Sequence, residues 1–179
     1  EHSAEKQLAR LINDNFGPGD LLMGLDYSNE GMERLLTWAS SQVEDLDQVN
    51  EQTREDLIWE AAEREVRLAL RRVKRELDKE GIELKYIVIT SDMDGDTGEA
   101  VRVHHHLIVP AGVQRAFMEK WKAMGSVDWE PLSTQDDYTP IAAYFIRQVR
   151  RIPDAKKYTS SRNLSRPQPK DRVVISEAE

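Results

Sequence analysis

The chain has 179 residues, a net charge of −8, and 39% hydrophobic against 32% charged residues. That is one ordinary domain with a single core and a heavily solvated surface, and it excludes collagen-like and Gly/Pro low-complexity chains. With no cysteine there is no disulfide framework, thiolate-held metal or thiol nucleophile.

The opening Glu1-His2-Ser3-Ala4-Glu5 is neither signal-like nor a natural start, so removal of a leading segment is expected. Ala4 to Asn15 carries Leu8, Leu11 and Ile12 at helical spacing and stops at the breaker cluster Asn15-Phe16-Gly17-Pro18-Gly19. Asp20 to Tyr27 reads as a strand and Met32 to Ser41 as a short helix; Gln42 to Gln52 has no clear period. Thr53 to Asp78 is the strongest helix, its stripe of Ile58, Ala62, Val66, Ala69, Val73 and Leu77 opposed by Arg, Lys and Glu. Glu83 to Thr90 is β-branched and aromatic, as a central strand requires. The turn Asp92 to Gly98 joins it to a strand over Ala100 to Val109, forming an antiparallel hairpin. Val113 to Met124 predicts a helix, Val127 to Leu132 a strand, and Pro140 to Arg151 a helix with proline in its first turn. From Pro153 onward there is no periodicity, and an extended tail that orders on contact is expected. The order βαββαβα predicts an α+β fold, a central antiparallel sheet with helices packed mainly on one face. No apolar run reaches the roughly 20 residues of a membrane span, which predicts a soluble, cytoplasmic protein.

Charge is segregated. Eight acids between Glu44 and Glu63 face one base, Arg54. Nine bases between Arg147 and Arg172 face only Asp154 and Asp171, the kind of stretch that holds a polyanion.

Three histidines are consecutive. In a strand, side chains alternate, so His104 and His106 share one face and His105 takes the other with Val103 and Leu107. A pair two residues apart can converge on one divalent cation, and an unpartnered imidazole in a central strand is costly to desolvate. The last helix places Tyr144 and Gln148 four apart, with Arg147 beside them: a nucleophile, a hard metal ligand and a phosphate contact. Tyr138, in the Asp136-Asp137-Tyr138-Thr139 loop, is the competing nucleophile.

At these residues the chain resembles the HUH endonucleases, and within them the rolling-circle replication initiators of bacterial plasmids and phages. The resemblance runs through Asn15 to Leu21 and its strand, Leu84 to Thr90, Val103 to Pro110, Ala143 to Gln148, and Lys157 to Pro167. Arg147 and Gln148 depart from it, since the family often has Lys and Glu there. Gln148 is similar instead to the metal-ligating glutamine of the one-tyrosine single-strand transposases. The acid usual after the second strand is matched only by Asp92.

The resemblance implies a nicking-joining endonuclease domain over 1–167, with 168–179 as a tail. It implies Mn²⁺ or Mg²⁺ on His104, His106 and Gln148, and Tyr144 attacking single-stranded origin DNA or an origin hairpin, aided by Arg147. The bases Arg150, Arg151, Lys156, Lys157, Arg162 and Arg166, with Tyr158, would hold the DNA. With no Gly-rich phosphate loop in the chain, a host helicase and polymerase would act beside it. The alternatives are a one-tyrosine transposase with the same chemistry and a non-catalytic descendant that binds nucleic acid or a protein.

Overall fold

A computed structural model describes residues 2–133, 137–150 and 157–166. The chain runs α1 (His2–Asn15), β1 (Leu21–Asp26), α2 (Asn29–Ser40), a 3₁₀ turn (Leu46–Gln48), α3 (Glu51–Lys79), β2 (Ile87–Met93), β3 (Ala100–Val109), α4 (Gln114–Trp121), β4 (Val127–Pro131), α5 (Thr139–Gln148) and β5 (Thr159–Ser160). The fold is α+β, with one five-stranded sheet of order β4-β1-β3-β2-β5 in which every neighbouring pair is antiparallel. The histidine strand, β3, is therefore its middle.

Alternation along the strands sorts the core into two. Leu21, Met23, Leu25, Val88, Val103, Leu107 and Val109 pack with α3's Val66, Val73 and Leu77 and α4's Phe117 and Trp121. Leu35 of α2 joins them, so α2 to α4 lie on this face. The opposite side chains, Leu22, Ile87, Ile89 and Ile108, meet α1 (Leu8, Leu11, Ile12) and α5 (Ala142, Phe145, Ile146). Three of the five helices lie on one face, and α1 with α5 closes the other. Burying one such aliphatic side chain contributes about 1.5–3 kcal/mol, so each stripe outweighs any cap.

Boundaries move where side chains supply backbone partners. α3 begins at Glu51 rather than Thr53 because Asn50 caps it, its side chain accepting from the Thr53 N–H. Within the polar stretch before it, Leu46 is buried and pins the 3₁₀ turn. β2 begins at Ile87 because the preceding residues bond to the segment after α5: Tyr86 N–H donates to Ser161 Oγ, Ser161 N–H to Tyr86 O, and Asn163 Nδ2 to Leu84 O. The expected free tail is thus a packed sheet edge over 157–166, with Leu164 buried and β5 paired to Ile87 and Val88. Two strand residues are too few to leave a period in the sequence. Among the described residues no helix is long and apolar enough to cross a membrane. The tail over 168–179 lies outside the described residues.

Candidate metal and nucleophile site

β3 delivers His104 and His106 to the α5 face, with ring centroids 4.9 Å apart and nearly perpendicular. α5 brings Gln148 between them: its Oε1 lies 3.4 Å from His104 Nε2 and 3.1 Å from His106 Nε2. The orientation of the amide follows from its other end, where Nε2 donates to Tyr144 O at 3.2 Å. The His104 tautomer is fixed in the same way. Its Nδ1 lies 3.0 Å from Arg102 O, a group that can only accept, so Nδ1 carries the proton and Nε2 a lone pair. Two lone pairs, on His104 Nε2 and Gln148 Oε1, therefore face one another.

That arrangement fits a divalent cation. Adjacent ligand atoms on an octahedral ion at about 2.1 Å stand about 3 Å apart, and imidazole with amide oxygen suits a first-row metal. Among the described residues no three His, Cys, Asp or Glu side chains gather as a metal site; beside the two imidazoles the third group here is the Gln148 amide. Burial, then the neighbouring His104, pushes the His106 pKa down to about 4, so that ring is neutral at physiological pH. Phe145 stacks beside His106, with centroids 5.7 Å apart.

The C-terminal turn of α5 is held from outside. Ser91 Oγ donates to Gln148 O at 2.7 Å. Arg150, expected on the DNA, reaches the other way: it is paired with Asp56 of α3 and with Asp92 of β2 (2.6 Å), its guanidinium over the Trp59 ring. Three elements are clamped at the point where Gln148 leaves the helix. Asp92 is thereby committed to Arg150, and Asp56 gives the acidic stretch a structural use.

Tyr144 is half-buried one helical turn before Gln148, its ring centroid 6.2 Å from that of His106. Arg147, exposed, lies over the same ring at 5.4 Å. Burial, then Asp96 and Asp94 of the β2–β3 turn, raises the Tyr144 pKa; Arg147 opposes them without reversing the sign. The turn also touches the ring. A Cβ on Gly95 would stand 2.7 Å from Tyr144 Cε1 and 3.1 Å from Gln148 Cδ, so only glycine lets this backbone lie on the Tyr144 ring. Tyr138 is a core residue, 3% exposed, its hydroxyl donating to Ser133 O.

Sequence reasoning missed a carboxylate pair on the same face. Asp26 stands opposite His104, and Gly24 lies between His106 and Asp128 across β1. Burial and the adjacent Asp26 raise the Asp128 pKa, while His106 opposes them. Alternation along β1 places Asp26 on this face; the register with β4, which brings Asp128 to it, is not a local property of the sequence.

Of the expected DNA contacts, Lys157 donates to Arg150 O. Tyr158 packs into the α1–α5 core, and Arg166 bonds Ser160 Oγ and Ser161 O. Arg162 is exposed beside Tyr86. Arg151 and Lys156 lie outside the described residues. No family model matches the chain, and neither a search of curated proteins nor one of solved structures finds a match.

Proposed function

We propose that the protein is a metal-dependent endonuclease that nicks single-stranded DNA through a 5′-phosphotyrosyl intermediate, as in the initiation of rolling-circle replication. The observation that carries this reading is the set of lone pairs from His104 Nε2 and Gln148 Oε1, with His106, one helical turn from a phenol under a guanidinium. A bound Mn²⁺ or Mg²⁺, held by those three residues, would supply Lewis-acid polarisation of the scissile phosphate. Tyr144 Oη gives its proton to solvent water as it bonds to phosphorus, the P–O3′ bond breaks, and the departing 3′ oxygen takes a proton from water to become the priming hydroxyl. Burial, with Asp96 and Asp94 beside it, favours the protonated phenol, and Arg147 offsets the charge that develops on the oxygen as it attacks.

Tyr144→Phe is the test. Incubated with a single-stranded oligonucleotide pool and Mn²⁺, the parent forms a covalent adduct resolved on a denaturing gel, and the variant forms none. Adduct formation by Tyr144→Phe, or none by the parent, removes the reading. A second reading, a one-tyrosine transposase, draws on Gln148 as third donor in place of a carboxylate. A dimer by native mass that transfers strands between two DNA ends would select it.

A further inference from the structure

On the far side of the sheet from Tyr144, the basic half of α3 meets the β5 edge in a cleft of about 400 Å³. Arg67, Arg71 and Lys74, at helical spacings of four and three, line one wall; Tyr86 and Thr159 line the other. Arg162 adds a fourth cation, close enough to Tyr86 to bear on its hydroxyl. Among the described residues, neither Arg67 nor Arg71 has a carboxylate within ion-pair distance, whereas Lys74 is paired with Asp78 at 2.8 Å. The acid in the cleft is Glu63, half-buried, its carboxyl raised by burial and eased by Thr90 and Arg67. Exposed, like-charged guanidiniums held together on a rigid helix repel one another, and an anion with several negative charges relieves that repulsion. Tyr86, half-buried between them, offers a ring where an unstacked base can lie.

We propose that this cleft anchors the phosphate backbone of the single-stranded DNA flanking the scissile phosphate, a second holding point that does no chemistry. The identity of the ligand rests on the nickase reading. From Arg147, the strand passes Lys157, whose ammonium sits on Arg150 O just beyond α5, and turns round the β2–β5 edge to Arg162, Arg67 and Arg71. A chain of net charge −8 thus binds a polyanion through one local strip, leaving the acidic half of α3 facing elsewhere.

The test is anisotropy of a labelled oligo-dT titrated with the full chain across a NaCl series, with EDTA present so that cleavage plays no part. Every phosphate that is no longer neutralised takes about 0.7 from the slope of log affinity against log salt for single strands, so Arg67→Ala/Arg71→Ala lowers it by about 1.4. Arg67→Lys/Arg71→Lys keeps the charge and keeps the slope. An unchanged slope in the alanine pair overturns the proposal. So does an equal loss in the lysine pair, which would mean packing rather than charge, or displacement of the DNA by poly-glutamate as readily as by unlabelled oligo-dT. A parent with the expected slopes but no covalent adduct in Mn²⁺ overturns the nickase reading and leaves the anchor. A parent that nicks short oligonucleotides while the alanine pair binds long ones unchanged does the reverse.

Discussion

The two faces of β3 carry the same side chain in opposite circumstances. His105, fully buried, is satisfied at both nitrogens. Tyr27 Oη lies 2.7 Å from Nε2 and Thr90 Oγ1 2.8 Å from Nδ1, and Thr90 passes its own proton to Glu63 at 3.2 Å. One proton order satisfies the whole chain: Tyr27 to His105, His105 to Thr90, Thr90 to Glu63. On the other face, His104 and His106 turn their Nε2 atoms toward an amide oxygen. The first face has a protein partner for each ring nitrogen; on the second, both Nε2 atoms crowd a single amide oxygen. A polar side chain in a strand centre is structural when its hydrogen bonds close within the core, and a candidate for chemistry when they do not.

The largest effect expected from this contrast is at His106. His106→Ala abolishes Mn²⁺-dependent adduct formation and the rise in melting temperature that Mn²⁺ gives the parent, while the metal-free chain melts close to the parent. Retained stabilisation by Mn²⁺ would place the ion elsewhere. His105→Ala does the opposite. It leaves a cavity in the core, takes from Tyr27 its nearer acceptor and from Thr90 its donor, and costs about 3 kcal/mol, or roughly 10 °C in melting temperature for a chain of this size. The surviving folded fraction still gains stability from Mn²⁺. Equal losses of metal response in both variants would erase the distinction between the faces.

Much of this was legible from residue order because alternation is a local rule. The period of two assigned His104 and His106 to one face and His105 to the other, and the period of 3.6 placed Tyr144 and Gln148 on one stripe. What residue order concealed is long-range register. Tyr27 reaches His105 across 78 positions, and Arg150 finds Asp56 across 94 and Asp92 across 58. Arg150 therefore read as one more base in a cationic stretch, although its charge is spent inside the molecule. Gly95 read as turn chemistry, and only the approach of the hairpin to Tyr144 gives it a second reason to be glycine. The segment after α5 read as a tail because its anchors are single side chains such as Leu164 and Ser161 rather than a pattern.

The smallest expected effect separates the faces by acid titration. Burial holds the His105 pKa near 3, and burial with the neighbouring His104 holds His106 near 4, against about 6.5 in the unfolded chain. Between those values the unfolded state binds more protons than the folded one, so stability is whole above about pH 6.5 and falls as pH drops. Each histidine contributes about 1.4 kcal/mol per pH unit in its window. His106 stops contributing near pH 4, whereas His105 continues to about pH 3. In metal-free urea melts between pH 6 and 4.5, His106→Ala should lose one proton's worth of slope, about 1.4 kcal/mol per unit, and keep the part belonging to His105. An unchanged slope would mean that the His106 ring takes up its proton in the folded state as readily as in water. The site face would then be open enough to solvate an imidazolium, and the desolvated His106 ring on which the proposed metal binding depends would not exist in solution.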